Sequence, residues 1–174
     1  MSSKQVKKMT IQGQVVLTIR NEQETALLAR RIAKLAKPGT VLALDGDLGA
    51  GKTTFSQKFA KAIGVEGVVN SPTFTIIKEY DGASMPFYHM DVYRLSMEEA
   101  DELGLDDYFF GQGVTIVEWA SLIKELLPPD RLEMYISHEG GEERVVRITG
   151  IGEPYRSWCE VWNEMGAGND DDQV

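Results

Sequence analysis

A glycine-rich segment after a short apolar run has the composition of a phosphate-binding loop. Residues 46–53 read GDLGAGKT, which satisfies the pattern G-x-x-x-x-G-K-S/T. Glycines let backbone N–H groups converge on an anion, and the helix that follows adds the positive end of its dipole. Lys52 then supplies a mobile cation for the β- and γ-phosphates, and the Thr53 hydroxyl a ligand for Mg²⁺. The motif predicts a nucleoside-triphosphate site.

The sequence on either side of the loop has the context that this motif requires. Residues 40–45, TVLALD, are apolar on both sides of the pleat, which is typical of a strand buried between helical layers. After the loop, KTTFSQKFAKAI places Phe55, Phe59 and Ile63 on one helical face, and Gly64 can end the helix. We expect nucleotide contacts from the loop and the first turn of this helix: Asp47, Leu48, Gly49, Ala50, Gly51, Lys52, Thr53 and Thr54.

The identity of the base depends on a second short motif. Residues 101–104 read DELG, which matches the D-x-x-G pattern of GTPase switches. The tetrapeptide follows a capping box formed by Ser96 and Glu99, however, so it is interpreted as an ordinary helix end with solvated acids. The chain contains no N-K-x-D sequence to discriminate guanine. The sequence therefore favours ATP.

Phosphoryl transfer or hydrolysis also requires an acid near the metal ion. Glu118 follows the apolar strand VTIV, where such an acid is expected. In FYHMDVYR, a two-residue period puts His89, Asp91 and Tyr93 on one face of a strand. Each carboxylate could instead cap a helix or pair with a lysine, but two of them beside a phosphate-binding loop favour a functional site.

Three further residues have open roles at this stage. His89 is either a hydrogen-bonded, half-buried residue or part of the Asp91 face. Arg94 could pair with an acid, reach a phosphate or contact a partner. Thr73 lies in the segment NSPTF, which could close on the γ-phosphate as a switch or be a plain connection.

Bulk composition limits the functional classes. With 18 basic and 27 acidic residues the net charge is −9, which argues against a surface that grips nucleic acid directly. The single cysteine, Cys159, excludes an internal disulfide and a cysteine-based zinc site, and we expect it to be an apolar, half-buried residue. The start of the chain lacks the apolar segment of a signal peptide, and no apolar run approaches the ~20 residues of a membrane span. We therefore expect a cytoplasmic protein.

The pattern of elements predicts the fold class and the domain organisation. QVVLTIR reads as a strand, Asn21 as a helix N-cap with Glu24 as its capping-box partner, and Gly140-Gly141 as the turn of a C-terminal β-hairpin. TFTIIKEY, residues 73–80, reads as a further strand, and SLIKELL, residues 121–127, as a helix that Pro128-Pro129 ends. We expect an α/β protein with a P-loop NTPase-like mixed central β-sheet flanked by helices, formed by residues 1–152. Residues 153–174 are expected to be an extension, with a helix that docks Trp158 and Trp162 and then a disordered acidic tail.

Four segments in a fixed order carry a family resemblance. GDLGAGKTT, SPTF, HMDVYR and VEW, spread between about Asn21 and about Gly150, make the chain similar to the TsaE family, also called YjeE or YdiB. These are small bacterial P-loop ATPases required for the threonylcarbamoyladenosine modification of tRNA. The P-loop is common to many families, whereas SPTF, H-x-D-x-Y-R and E-W together are much more specific. Relatives often follow E-W with proline and an acid, where this chain has Ala120 and Ser121.

The resemblance implies roles for particular residues. Thr53, Glu118 and Asp91 would bind Mg²⁺, Thr73 would be a switch-like threonine near the γ-phosphate, and Trp119 would lie close to the nucleotide. Glu118, Asp91 and Thr73 are accordingly the expected catalytic residues.

The resemblance also implies how the protein works with others. The cofactors would be ATP and Mg²⁺, and the partner a TsaB–TsaD complex, in which TsaD transfers threonylcarbamoyl to adenosine 37 of tRNA. ATPase activity would be weak in isolation and would reset that complex between turnovers. tRNA would be handled through the partners.

Two other classes of function compete with this interpretation. A small-molecule kinase could use the same P-loop, but such enzymes usually place arginines over the transferred phosphate, and only Arg94 accompanies a site motif here. A nucleotide-binding module without useful turnover is the third reading, against which two well-placed acids argue.

Overall fold

The computed structural model of the chain describes residues 13–165. Within this range, the strands are β1 (Gln14–Ile19), β2 (Val41–Gly46), β3 (Ile77–Asp81), β4 (Pro86–Asp91), β5 (Val114–Glu118), β6 (Arg131–His138) and β7 (Arg144–Ile151). The helices are α1 (Glu22–Leu35), α2 (Lys52–Ala62), α3 (Met97–Asp101), α4 (Asp106–Phe109) and α5 (Tyr155–Met165), with a 3₁₀ segment at Ala120–Leu126.

The seven strands form one mixed sheet in the order β1-β7-β6-β2-β5-β4-β3. Four neighbouring strands in its centre, β6, β2, β5 and β4, are parallel. The outer pairs β1–β7, β7–β6 and β4–β3 are antiparallel. The mixed sheet and the C-terminal hairpin that the sequence predicted are therefore confirmed.

The register of the parallel strands collects their carboxyl ends at one edge. Leu44 of β2 lies beside Glu118 of β5, and Glu118 lies beside Asp91 of β4. The loop that follows Gly46 leaves from the same edge. This edge is where open parallel sheets bind ligands, because the connecting loops meet there. Two acids and the phosphate-binding motif, far apart in sequence, thus become neighbours.

The sheet is covered on both faces, which explains the near-continuous apolar character of β2. Leu42 and Leu44 point into a core shared with α1, α2 and α5, whereas Val41 and Ala43 point into a second core under α3, α4 and the 3₁₀ segment. All four side chains are buried. Strands buried on both faces carry such apolar runs instead of alternation.

Local sequence signals fix the starts of α1 and α3. The Asn21 side chain accepts a hydrogen bond from the Glu24 amide at 3.0 Å, as an N-cap should. The second bond of the predicted capping box, from the Asn21 amide to the Glu24 carboxylate, is wrong. Glu24 accepts instead from the amide of the preceding residue, Arg20, at 2.8 Å, and it also forms an ion pair with the Arg20 guanidinium. The Ser96–Glu99 capping box is present in both directions. The DELG segment is the surface-exposed end of a helix, as the sequence predicted: α3 ends at Asp101 and an exposed turn follows.

Three sequence predictions of regular structure need correction. SLIKELL forms a kinked 3₁₀ segment instead of an α-helix, with Ile123 at φ −124° in its middle. Residues 74–76 precede β3, because Ile76 has a left-handed backbone (φ 71°) that no strand accommodates. β4 ends at Asp91, so Tyr93 does not share a strand face with it; the Tyr93 amide donates instead to Asp91 Oδ1 at 3.0 Å.

Helix α5 packs against β7 and β1 and closes the α1–α2 side of the sheet. Its Tyr155 hydroxyl accepts a hydrogen bond from the Val41 amide at the start of β2, at 3.0 Å. Burial raises the pKa of the Cys159 thiol to about 11, as befits a core side chain. The acidic tail predicted after this helix lies outside the described residues. No helix among residues 13–165 is both long enough and apolar enough to cross a membrane.

Replacing Gly46 by alanine is expected to destabilise the fold. A Cβ atom there would lie 2.3 Å from the Ile136 carbonyl oxygen, at a φ of 149° that side chains rarely adopt. Overpacking and backbone strain together cost about 3 kcal/mol. Urea unfolding measures the loss. Gly39→Ala is the matched control, since Gly39 has φ 93° but no atom of the described part of the chain within 4 Å of its Cβ position. Equal stabilities of the two variants would contradict the close approach of β2 to β6.

Candidate functional site

The phosphate-binding loop is shaped by its glycines and by the start of α2. Gly51 has φ 112° and serves as the N-cap of α2, which begins at Lys52. Gly49 also has a positive φ, of 76°. The first N–H groups of a helix have no acceptor within the helix, so this end of α2 can bind an anion. The geometry is that expected of a phosphate-binding loop between a buried strand and a helix.

Lys52 is folded back onto the loop. Its ammonium donates to the carbonyl oxygens of Gly46 and Asp47, each at 3.0 Å. The ring of Trp119 covers it, with its centroid 4.0 Å from Nζ. Burial lowers the pKa of Lys52, although the nearby carboxylates, Glu118 foremost, act in the opposite direction.

The Glu118 carboxylate is almost fully buried at the end of β5 and accepts hydrogen bonds from three other residues. Thr53 Oγ1 donates to Oε1 at 3.1 Å. Oε2 lies 3.1 Å from Ser56 Oγ and 2.5 Å from His89 Nε2. Because Glu118 is on β5, Thr53 and Ser56 on α2 and His89 on β4, the carboxylate ties three elements together at the site.

Asp91 holds the NSPTF segment at the edge of the site. Its Oδ2 accepts from Thr73 Oγ1 at 3.3 Å, and Thr73 Oγ1 lies 2.7 Å from Ser71 Oγ. The Ile76 carbonyl accepts from the Asp91 amide at 2.8 Å, which anchors the far end of the segment. Positive φ is rare for a β-branched residue, so the turn at Ile76 is a strained feature that these contacts maintain.

Trp119 also has a left-handed backbone, with φ 64°. Its amide donates to the Leu44 carbonyl of β2 at 2.8 Å, and its ring packs against Tyr93 with centroids 4.7 Å apart. These contacts hold the indole over Lys52. Bulky residues occupy this backbone region only where the surroundings fix them, typically near functional sites.

The hairpin of β6 and β7 braces the loop from the other side. Arg144 Nε donates to the Ala50 carbonyl at 2.7 Å. The Asp47 carboxylate accepts from the Tyr135 hydroxyl and from the His138 amide, both at 3.3 Å. The loop is therefore held by α2 at one end and by the hairpin along its length.

A cavity of about 170 Å³ opens beside the loop, between α1, α2 and the β6–β7 hairpin. Its walls are mainly apolar, with polar side chains at the N-terminal end of α1 and on the hairpin. The lining includes Ile19, Asn21, Thr54, Met134 and Arg144 together with Ala50 and Gly51 of the loop.

Comparison with known proteins identifies the family once this geometry is in place. The model of the family "Threonylcarbamoyl adenosine biosynthesis protein TsaE" matches residues 19–146. A relative from Bacillus subtilis, named tRNA threonylcarbamoyladenosine biosynthesis protein TsaE, is 54% identical over 140 residues, which cover 80% of this chain and 88% of that protein. The chain belongs to the TsaE family.

Other TsaE-related proteins extend the comparison. A TsaE protein from Streptomyces coelicolor is 41% identical over 134 residues, 72% of this chain and 90% of that protein. The crystal structure of YdiB from Bacillus subtilis matches with a TM-score of 0.76 and 47% identity, covering 89% of this chain and 97% of that chain. The resemblance carried by the four sequence segments is confirmed, and TsaE membership places this chain in the biosynthesis of threonylcarbamoyladenosine in tRNA.

The TsaE motif residues predicted from sequence gather in one place. Lys52, Thr53, Asp91, Glu118 and Trp119 all lie at the carboxyl edge of the sheet, and Thr73 contacts Asp91. Thr54 lines the adjacent cavity, while the Leu48 side chain, which is 82% exposed, points to solvent and leaves only its backbone to the loop. The Arg94 guanidinium lies 4.7 Å from the ring centroid of Phe74.

Sequence reasoning missed three contributors to the site. Ser56, Tyr135 and Arg144 carry no motif signal, because their contacts join positions from 62 to 94 residues apart in the chain. Ser56 could have been noticed one helical turn after Lys52, on the face that looks back at the sheet. For His89, one of the two roles left open was that of a hydrogen-bonded, half-buried residue. It makes a hydrogen bond to Glu118, but its side chain is fully buried.

Replacing Arg144 by alanine is expected to loosen the loop without unfolding the protein. The change removes the charge-assisted bond to Ala50, and we expect amide hydrogens of residues 47–51 to exchange about ten times faster, which corresponds to ~1.4 kcal/mol. Hydrogen–deuterium exchange mass spectrometry measures this. Arg147→Ala is the control, since Arg147 is exposed on the same strand. Identical exchange in both variants would mean that the hairpin does not brace the loop.

Proposed function

We propose that this protein is a Mg²⁺-dependent ATPase that acts on a TsaB–TsaD complex during threonylcarbamoyladenosine synthesis. The observation that carries the proposal is the hydrogen bond between Thr53 of the phosphate-binding loop and Glu118 at the end of β5. This bond links the phosphate-binding loop to the acid at the end of β5, and a nucleoside-triphosphate site requires both parts. TsaE membership favours this function over the small-molecule kinase considered from the sequence.

The nucleotide would bind with its phosphates in the loop and its nucleoside in the adjacent cavity. The Lys52 ammonium now donates to the Gly46 and Asp47 carbonyls. We expect it to turn from them toward the phosphates when a nucleotide enters, because hydrogen bonds between charged groups are stronger than bonds to neutral carbonyls. The N–H groups at the start of α2 would bind phosphate oxygens at the same time. The cavity shares Ala50 and Gly51 with the loop, and its apolar walls suit a base, with Asn21 and Arg144 as polar contacts.

The donor atoms beside the loop fit Mg²⁺, which prefers hard oxygen ligands and usually combines one or two carboxylates with substrate phosphates. Thr53 and Glu118 would hold the ion, with Asp91 on the neighbouring strand as the second acid. Among residues 13–165, no three His, Cys, Asp or Glu side chains form a metal site by themselves, in keeping with an ion shared with phosphate oxygens. Bound there, the ion would neutralise charge on the β- and γ-phosphates.

The side chains beside the loop would have distinct roles in binding and hydrolysis. A Thr53 hydroxyl that donates its hydrogen to Glu118 keeps its oxygen lone pairs for a cation. Asp91, which now binds Thr73, would release or retain that threonine according to the state of the γ-phosphate. Thr73 would act as the switch-like contact and the two acids would orient the attacking water. These assignments make Glu118, Asp91 and Thr73 the catalytic residues.

Two exposed aromatic side chains beside the site could contact a partner protein. Phe74 is 82% exposed and Tyr93 is 53% exposed, both on segments that Asp91 anchors. A partner that covers them would order the NSPTF segment, and each 1.4 kcal/mol of better alignment is worth about tenfold in rate. We therefore propose weak activity in isolation and stimulation by TsaB–TsaD in the cytoplasm. The net charge of −9 supports contact with tRNA through the partners only.

Two substitutions are expected to separate nucleotide binding from hydrolysis. Lys52→Ala should weaken ATP binding about tenfold or more, with and without Mg²⁺, because the loop loses its cation. Glu118→Gln should keep ATP affinity in EDTA within about twofold but lower phosphate release roughly a hundredfold or more. Calorimetry and a phosphate-release assay measure the two effects, with Lys61→Ala, an exposed lysine of the same helix, as the control. Wild-type turnover in Glu118→Gln would exclude its catalytic role.

Adding a TsaB–TsaD complex is expected to accelerate phosphate release from Mg-ATP by about tenfold or more, because docking orders the NSPTF segment. GTP serves as the control nucleotide and should be a poorer substrate. Release that is slow and unaffected by the complex would contradict the partnership while leaving the ATPase assignment intact. Equal use of GTP would contradict the preference for adenine.

A further inference from the structure

A buried imidazole on β4, that of His89, contacts the Glu118 carboxylate. His89 is wholly inaccessible to solvent, and its Nε2 lies 2.5 Å from Glu118 Oε2. An ionised carboxylate oxygen can only accept, so the imidazole tautomer that suits this contact carries its hydrogen on Nε2 and donates it to Glu118. We infer that His89 is a positioning residue, which fixes the orientation of Glu118 for the cation and the nucleotide. The inference rests on the proposed function and deepens it.

The imidazole is itself held rigidly. Its ring stacks on Phe87, with centroids 5.7 Å apart and planes 20° from parallel. Phe87 in turn packs against Phe59 of α2, at 5.8 Å. A ring enclosed in this way has little freedom to turn, so the direction of its Nε2–H is set by the core of the protein.

Stability alone does not account for a histidine at this position. Its other nitrogen, Nδ1, is buried and has no hydrogen-bond partner among the described residues. A buried polar atom without a partner costs free energy, and an apolar side chain of similar shape would avoid that cost. The Nε2 bond to Glu118 is the one polar contact that the ring makes within the described part of the chain. This points to a role in the site.

The arrangement divides the two oxygens of Glu118 between the core and the loop. His89 and Ser56 both contact Oε2, whereas Oε1 receives the Thr53 hydroxyl. The Ser56 hydroxyl has a single hydrogen and also lies 3.0 Å from the Lys52 carbonyl, so it cannot serve Glu118 at all times. His89 is consequently the constant donor that holds Oε2 inward. Oε1 then faces Thr53, and Thr53 and Glu118 would together hold a divalent cation.

The test measures cation-dependent nucleotide affinity as well as turnover. We expect His89→Phe, which keeps the aromatic contact with Phe87 but has no donor, to reduce the Mg²⁺-induced gain in ATP affinity by about tenfold or more. ATP affinity in EDTA should stay within about twofold, because the loop itself is unchanged. Phosphate release should fall by a similar factor of about 10 to 100. Calorimetry in MgCl₂ and in EDTA provides the readout that does not depend on catalysis.

A second pair of variants separates positioning from packing. Glutamine can place an amide N–H near the Nε2 position, whereas asparagine is too short to reach Glu118, so His89→Gln should recover most of the Mg²⁺ effect and His89→Asn should not. Thr115→Val is the matched control: Thr115 is buried on β5, its hydroxyl has no hydrogen-bond partner among residues 13–165, and the change should leave both affinities unaltered.

The outcomes distinguish the inference from the function on which it rests. Wild-type behaviour of His89→Phe, or equal losses in EDTA and in MgCl₂ for His89→Gln and His89→Asn alike, would overturn the positioning role while leaving the ATPase proposal standing. A wild-type protein that does not bind ATP would overturn the proposed function itself. The expected pattern, a loss confined to the Mg²⁺-dependent component and rescued by glutamine alone, would establish His89 as the residue that orients Glu118.

Discussion

The buried carboxylate of Glu118 is the constraint on which the site depends. A carboxylate with 2% of its surface exposed is stable only when hydrogen-bond donors replace the lost water. Those donors come from α2 and β4, while Glu118 itself ends β5. Satisfying this one group therefore fixes the position of helix α2 relative to the sheet. The first turn of the same helix completes the phosphate-binding loop, so stability of the core and geometry of the site have a common origin.

The rest of the site follows from the parallel register. Because β4, β5 and β2 end side by side, Asp91, Glu118 and the loop after Gly46 meet without any long connection. The same edge concentrates features that cost stability. Lys52 is buried with its pKa lowered, and Ile76 and Trp119 have left-handed backbones. Unfavourable features of this kind persist where the surrounding contacts over-determine the structure, and they mark sites whose conformation responds to a ligand.

Much of this organisation could be predicted from the sequence, for physical reasons that differ between elements. The loop, the buried strand β2, the cap at Asn21 and the hairpin turn at Gly140-Gly141 are local, since each depends on residues close together in the chain. Tyr135 and Arg144 could not be assigned, because their partners are far away in the chain. For Ser56 the only available signal was its position one helical turn after Lys52. The sequence predicts that SLIKELL is a helix ended by Pro128-Pro129, but Trp119 precedes the segment at φ 64° and the segment kinks at Ile123. Tertiary contacts override local preference there.

A structure with Mg²⁺ and a non-hydrolysable ATP analogue bound would test the central claim most directly. The account predicts that the metal binds between Thr53 and the Oε1 side of Glu118, while Oε2 keeps its bond to His89. Lys52 should have left Gly46 and Asp47 for the β- and γ-phosphates. A complex in which the phosphates occupy the loop, but the metal is held elsewhere and Glu118 is turned away from Thr53, would contradict it.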